Sequence, residues 1–254
     1  MQEQQEQQEQ IVLVGATGAF GQALVHTLTA AGYQIVAVAR TAESLRALQQ
    51  RYPQLLICQT DIAEDSAIAA IREVASGPVR AVVHGPGVGV AGGILEAPTE
   101  TLNQAVNIKV GGLLRLVRAI DARLQPQSRL IAIGGHYGFE PTAYAAAAGV
   151  ANAALVNVVR QLSLAYGSRG VTAHLVAPGP ADTERLHRVA ASRAERQGIT
   201  LEVVLEQMKS ESSLGAFTTP EQVAWAVKML LESEADAMTG SALMLDSGRR
   251  KGLP

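Results

Sequence analysis

The 254-residue sequence is poor in cysteine, in aromatic residues and in excess charge of either sign. Its single cysteine, Cys58, excludes an internal disulfide and every cysteine-rich metal site. The net charge of −2 indicates no basic surface of the kind that binds nucleic acid or an anionic membrane. No apolar run approaches the roughly 18 residues that a membrane-spanning helix needs. The sequence therefore predicts a cytoplasmic protein without a nucleic-acid, membrane or metal partner.

Apolar residues make up 48% of the chain, which is enough for a sizeable core. Residues 1–10 contain six Gln and three Glu, and this low-complexity polar composition predicts a disordered leader. The stretch has neither the basic start nor the apolar centre of a signal peptide. No composition shift or internal repeat divides residues 11–254, so we expect one domain there.

Short apolar, β-branched runs alternate with helical patterns throughout that domain. The predicted strands are residues 11–14, 34–39, 55–58, 79–83, 129–133, 171–176 and 241–245. The predicted helices are residues 19–31, 42–51, 64–75, 99–124, 143–166 and 220–231, with one or two exposed helices at about 183–213. The alternation predicts an α/β fold: one doubly wound parallel sheet of about seven strands with helices on both faces.

A glycine-rich turn joins the first predicted strand to the first predicted helix. Gly15, Gly18 and Gly21 recur at every third residue, with Thr17 and Phe20 between them. Glycines in such a turn let the backbone approach a pyrophosphate closely, and the free N–H groups of the following helix favour an anion there. The turn therefore predicts a dinucleotide site.

Taken in order, the motifs resemble the short-chain dehydrogenase/reductase family over roughly residues 11–248. The resemblance rests on the glycine-rich turn, Asp61, Asn107 in Val-Asn-Ile-Lys-Val-Gly, Pro178-Gly179 with Thr183, Pro220-Glu221 and Asp246-Ser-Gly. It implies a Rossmann-type fold and hydride transfer between a nicotinamide cofactor and a carbonyl or alcohol. The residues that the resemblance places at the cofactor, beyond the glycine-rich turn, are Asp61, Ile62, Gly85, Pro86, Pro178, Gly179 and Thr183. Residues 183–213 would form a helical lid over the substrate.

The end of the second predicted strand favours NADP(H) over NAD(H). Relatives of this kind that prefer NAD carry an acid there for the ribose 2′-hydroxyl. This chain has Ala39 followed by Arg40 and Thr41. A guanidinium holds a 2′-phosphate in a fork of hydrogen bonds, whereas a carboxylate repels it. Arg40 is therefore the predicted discriminator, with Thr41 assisting; an ordinary solvated arginine is the alternative.

The resemblance also implies a catalytic centre from which two groups are missing. Tyr144 matches the family's proton-donating tyrosine, and Asn107 matches the asparagine that anchors a water. Ala148 stands where the family has the lysine that lowers the tyrosine pKa. Gly135 stands where it has the serine that binds the substrate oxygen.

Few other residues offer a replacement. Lys109 lies two residues from Asn107, nearly opposite it on a regular helix, which argues against Lys109. Asn152 lies about 12 Å along the helix from Tyr144, too far to tune its hydroxyl. His136 and Tyr137, beside Gly135, are candidates to bind the substrate oxygen or carry a proton, and plain loop residues are the alternative.

Two functions are left open. The first is an NADP(H)-dependent oxidoreductase acting on a small carbonyl or alcohol, with Tyr144, Asn107 and His136 in an atypical site. The second is a protein of the same fold without redox activity, such as a cofactor sensor, a scaffold, a dehydratase or an isomerase. The helices at 99–124 and 143–166 resemble those of the family's dimer interface, so we expect a homodimer or homotetramer.

Overall fold

The computed structural model describes residues 8–90 and 92–252. Within them lies one wholly parallel sheet with the strand order β3-β2-β1-β4-β5-β6-β7. The strands are β1 (Gln10–Val14), β2 (Gln34–Ala39), β3 (Leu56–Gln59), β4 (Val79–His84), β5 (Leu124–Ile133), β6 (Thr172–Pro178) and β7 (Ala242–Leu245). The α-helices are α1 (Ala19–Ala30), α2 (Ala42–Arg51), α3 (Ser66–Val74), α4 (Thr99–Val106), α5 (Gly112–Ile120), α6 (Ala146–Tyr166), α7 (Glu184–Gln197), α8 (Leu201–Ser210) and α9 (Pro220–Met229).

Helices cover both faces of the sheet, which confirms the predicted α/β fold. Alternate residues of β1 point to opposite faces, so Ile11 and Leu13 enter one core while Val12 and Val14 enter the other. The first core includes α1, α2 and α9, and the second includes α3, α5 and α6. Burial on both sides explains why the strand sequences are continuously apolar.

The sheet begins one residue earlier than predicted. Gln10 is buried at the start of β1, where its side chain donates to the Gln34 side chain and accepts from the Gly77 N–H. The predicted leader therefore ends before Gln10, because this amide has partners inside the fold. Residues 1–7 of that leader lie outside the described residues.

The long helix predicted at residues 99–124 consists of α4, a π-helical turn (Asn107–Gly111) and α5. Gly112 follows the turn, and a Cβ built on it would lie 2.8 Å from Cε1 of His84. The close approach of that imidazole requires a residue without a side chain at this point. β5 begins at Leu124 instead of Arg129.

The second long predicted helix, at 143–166, begins three residues late at Ala146. The N–H groups of Ala146 and Ala147 bond to the carbonyls of Gly92 and Val90 in the loop after β4. Tyr144 consequently lies in a turn before the helix, whereas the predicted helix at 143–166 includes it.

The segment predicted to form a lid contains two helices, α7 and α8. They enclose a small apolar cluster of their own, formed by Leu186, Ala190, Ala194, Val204 and Met208. Among the residues described, none of the helices combines the length and apolar character required to cross a bilayer.

Arg129 is a fully buried cation whose loss should be costly. Its guanidinium donates to the carbonyls of Gln127, Leu230 and Glu232 and pairs with Asp236 at 2.6 Å. Arg129→Met leaves the Leu230 carbonyl without a donor and Asp236 without its ion pair. Arg80 still donates to the Gln127 carbonyl, and the Ala235 N–H to the Glu232 carbonyl, so we expect about 1–3 kcal/mol less stability in urea unfolding. Asp236→Asn is the matched control, because the three carbonyl bonds remain. Equal losses in the two variants would contradict this explanation.

Candidate active site

The carboxyl ends of the strands meet at one edge of the sheet, and the order reverses between β1 and β4. Ligands of such sheets bind in the crevice at this reversal. Gly15 has φ +87°, and a Cβ on it would lie 3.2 Å from the carbonyl carbon of Gly85 and 3.3 Å from the nitrogen of Pro86. The predicted cofactor residues Gly15, Gly85 and Pro86 are therefore in one place.

The glycine-rich turn leads into the amino end of α1. Gly18 is the N-cap residue, with no side-chain cap bond and no acidic residue in the first turn. A Cβ on Gly21 would lie 2.2 Å from the Gly15 carbonyl oxygen, so only glycine lets the helix pack on the turn. Thr17 lies in the turn, and Phe20 packs beside it against the core. This bare helix end is suited to a pyrophosphate.

Arg40 and Thr41 follow β2 at the same edge. Both are exposed, and neither side chain has a partner among the described residues. Thr41 is the N-cap residue of α2 but makes no side-chain cap bond. Both side chains are thus available to an anion.

Asn107 faces the loop after β3. Its Nδ2 donates to the Ala63 carbonyl at 3.0 Å, and its Oδ1 accepts from Arg115 at 2.9 Å. In the same loop Asp61 accepts from the Ala63 N–H at 3.0 Å, while Ile62 is buried. The amide of Asn107 therefore has protein partners at both ends.

Lys109 leaves the π-helical turn on the opposite side and reaches the carboxyl end of β5. The residue is 3% exposed, and its Nζ donates to the Ile133 carbonyl at 2.8 Å. Burial, followed by the nearby charge of Arg185, lowers the Lys109 pKa to about 7. The sequence argued against Lys109 because it lies two residues from Asn107, whereas its side chain reaches the carboxyl end of β5.

Pro86 explains why the Ile133 carbonyl needs a side-chain donor. The last pair of the β4–β5 register is His84 with Ala132, and continuing that register by two residues sets this carbonyl opposite the backbone nitrogen of residue 86. Proline has no N–H to give. Lys109 occupies the position of the missing donor.

His84, at the end of β4, is buried beside Lys109. Its Nε2 lies 2.9 Å from the Ile108 carbonyl, so it is a strand-end histidine bonded locally. Burial, followed by the charge of Lys109, lowers the His84 pKa to about 3. The ring is therefore neutral at pH 7.

Asn152 is a residue of α6, and its side chain lies beside Gly135. The residue is 6% exposed, and its Nδ2 is 3.2 Å from the position of a Cβ on Gly135. Its Oδ1 is buried without a partner among the described residues. Asn152 thus fills space that a side chain at position 135 would take, and it presents an amide to the site.

Tyr144, Tyr137 and His136 form a row along the loop after β5. Tyr144 is 47% exposed, and its hydroxyl lies 3.2 Å from that of Tyr137. The Tyr137 ring packs on His136 with centroids 4.0 Å apart. Burial raises the Tyr137 pKa well above its usual range. Burial, followed by the charge of Arg249, lowers the His136 pKa to about 4, and the role of His136 in binding the substrate oxygen or carrying a proton stays a prediction.

The lid begins directly after β6. A Cβ on Gly179 would lie 2.9 Å from Cα of Asp246, so glycine is needed after Pro178. Thr183 caps α7 by accepting from the Leu186 N–H. In the first turn of α7, Arg185, which the sequence did not single out, donates to the Val88 carbonyl and connects this segment to the loop after β4.

Sequence reasoning missed Lys109, Asn152 and Arg185 as parts of this edge. One signal was available for Lys109, which is the single lysine in the largely apolar stretch from Val106 to Val117, whose other polar residues are Asn107 and Arg115. Asn152 was dismissed by its distance from Tyr144, although the residue that its amide lies beside is Gly135. No comparable signal marks Arg185 among the charged residues of the lid.

Comparison with known proteins places these features in context. A family model described as enoyl-(acyl carrier protein) reductase matches residues 15–250. The uncharacterized short-chain type dehydrogenase/reductase y4vI of Sinorhizobium fredii is 25% identical over 244 residues. That match covers 94% of this chain but only 43% of y4vI, so the chain spans less than half of that relative.

Two solved structures have the same fold. L-sorbose reductase from Gluconobacter frateurii, complexed with NADPH and L-sorbose, matches with a TM-score of 0.88 and 22% identity, covering 98% of each chain. An NADPH-bound short-chain oxidoreductase from Pseudomonas aeruginosa PAO1, described as containing an atypical catalytic center, matches with a TM-score of 0.83 and 22% identity. This second match covers 96% of this chain and 98% of the other.

Proposed function

Because the chain belongs to the short-chain dehydrogenase/reductase family of oxidoreductases, we propose that it interconverts a small carbonyl compound and its alcohol with NADP(H). The family is the one that the ordered motifs predicted. The observation that carries the proposal is the bare amino end of α1 behind Gly15–Gly21, with Arg40 unpartnered at the end of β2. NADPH in the two neighbours described above is in keeping with this cofactor.

Different residues at the carboxyl edge of the sheet would bind different parts of the cofactor. The N–H groups at the start of α1 would hold the pyrophosphate, and Arg40 with Thr41 would hold a 2′-phosphate. Bound there, the reduced cofactor supplies a hydride to a carbonyl carbon. The lid excludes water above the strand ends, and Asn152 offers an amide to the substrate oxygen. Tyr144 and Lys109 are the two groups able to give a proton.

The test is NADPH oxidation, followed by absorbance, against a panel of ketones and aldehydes. We expect turnover of at least one small carbonyl compound, with Tyr144→Phe measured in parallel. Tight NADPH binding without any turnover would contradict the oxidoreductase and would favour a cofactor sensor of the same fold.

Arg40→Ala should weaken NADPH binding about 10–100-fold, because hydrogen bonds to a charged group contribute about 1.5–3 kcal/mol. NADH affinity should stay the same, since NADH has no 2′-phosphate. Calorimetric titration with each cofactor checks both expectations. Arg118→Ala, an exposed arginine on α5, is the control. Tighter binding of NADH than of NADPH by the unaltered protein would contradict the preference.

The proposal includes a homodimer or homotetramer. Leu164 on α6 and Trp225 on α9 are large apolar side chains that are 71% and 59% exposed in the single chain. Burial between copies would remove them from water. Light scattering that gives the mass of a monomer at micromolar concentration would contradict this part of the proposal.

A further inference from the structure

Lys109 is the buried ammonium of this site. The chain has four lysines, and Lys209, Lys228 and Lys251 all reach solvent. No carboxylate forms an ion pair with Lys109 among the described residues. The charged or titratable groups that face it are His84 from β4 and Arg185 from α7, and neither is an anion.

A structural role alone accounts poorly for this lysine. The Ile133 carbonyl needs one donor, which a neutral side chain could supply, whereas burying an unpaired ammonium costs several kcal/mol. The ammonium also has three N–H donors, of which the carbonyl uses one. Two donors and the positive charge therefore have no partner among the described residues.

The local backbone directs this ammonium to the ligand edge of the sheet. The π-helical turn at Asn107–Gly111 interrupts an otherwise α-helical segment, and such turns are frequent at functional sites. Ile133, which accepts from Lys109, is followed directly by Gly134 and Gly135. A Cβ built on either glycine would lie within 4 Å of the Asn152 side chain, which is the polar side chain of α6 among its nearest neighbours.

We propose that Lys109 gives the proton to the reacting oxygen when a carbonyl is reduced, with Asn152 as a ligand of that oxygen. The inference rests on the proposed function. The carbonyl carbon receives a hydride with its electron pair from the reduced nicotinamide, and the C=O π electrons move to oxygen. A proton passes from Nζ to that oxygen to form the alcohol. Neutral Lys109 then regains a proton from solvent.

The acidity of Lys109 suits this role. General acids work best with a pKa near the working pH, and burial brings the Lys109 pKa to about 7. Tyr144, by contrast, is half exposed and bonded to Tyr137.

Lys109→Met should lower kcat by about 10²–10⁴-fold, the range for loss of a positioned acid. The kcat of the unaltered enzyme should fall above pH 7, and this fall should be absent from the residual activity of Lys109→Met. Lys228→Met, on the exposed side of α9, should behave as the unaltered enzyme does. NADPH affinity, measured by calorimetry, should change little in either variant.

The double variant Pro86→Ala/Lys109→Met separates catalysis from packing. Alanine at position 86 restores a backbone N–H to face the Ile133 carbonyl, so the thermal stability lost in Lys109→Met should return. The kcat should remain low. Return of both stability and kcat would show that Lys109 only caps the sheet, and would overturn the proposal.

Proton NMR correlation of ¹⁵N,¹³C-lysine-labelled protein gives a readout that needs no turnover. With four lysines, the Lys109 signal is assigned from its loss in Lys109→Met. We expect it to titrate near pH 7 and to shift when NADPH is added. Two results would refute the role of Lys109 and leave the proposed function intact. The first is NADPH binding without a shift of the Lys109 signal; the second is turnover that Tyr144→Phe abolishes and Lys109→Met retains. An unaltered protein without turnover would instead refute the proposed function.

Discussion

Gly21→Ala should abolish most NADPH binding, by about 100-fold or more. A Cβ at position 21 would lie 2.2 Å from the Gly15 oxygen and 2.5 Å from the backbone of Ala16. Backbone atoms cannot rotate away as a side chain can, so the turn and the start of α1 must separate. Two or more charge-assisted bonds to the pyrophosphate are then lost, each contributing about 1.5–3 kcal/mol. Calorimetric titration measures the loss.

The stability of the cofactor-free protein provides the second readout for this change. Overpacking of this kind costs about 1–3 kcal/mol, so the melting temperature of Gly21→Ala should fall. Gly18→Ala is the matched control for stability, because its Cβ would meet the Gly15 oxygen at an ordinary 3.5 Å. If Gly21→Ala keeps the melting temperature and the NADPH affinity of the unaltered protein, α1 does not pack on the turn as described.

Stability should fall steeply as the pH drops below 6.5. His84, His136 and His174 are all buried, and burial lowers their pKa values to about 3, 4 and 4 from 6.5. Near pH 5 the unfolded chain binds a proton at each of them and the folded chain binds almost none. Unfolding then takes up three protons, so the free energy of unfolding should fall by about 4 kcal/mol for each unit by which the pH decreases.

Urea unfolding at several pH values between 5 and 7 tests this slope. The contribution is fully present above pH 6.5 and is lost as the pH falls towards the folded pKa values. His174→Gln should lower the slope by about one third, whereas His26→Gln, at an exposed position, should leave it unchanged. A stability that is constant from pH 7 to pH 5 would contradict the expectation.

The parallel sheet could be predicted because its signal is local. Each strand is buried on both faces, as Ile11–Val14 illustrates, so its sequence is apolar throughout. The turn at Gly15–Gly21 could be predicted for a similar reason, since close packing excludes every side chain larger than hydrogen at Gly21.

The parts that could not be predicted depend on contacts between distant segments. The loop residues Val90 and Gly92 bond to the first N–H groups of α6, which places Tyr144 outside the helix. The π-helical turn sets the direction of Lys109, and no residue pattern distinguishes it from regular helix. Pro86 lies 47 residues from Ile133, and the consequence of its missing N–H emerges only in the strand register.

Arg129 has a consequence for the order in which the chain can fold during synthesis. Two of its acceptors, Leu230 and Glu232, lie 101 and 103 residues further along the chain, and Asp236 follows them. Until that segment leaves the ribosome, β5 carries a guanidinium that cannot be buried without a large desolvation cost. Nascent chains that end before residue 230 should therefore remain open at the centre of the sheet, and the domain should close only as its last segments are made.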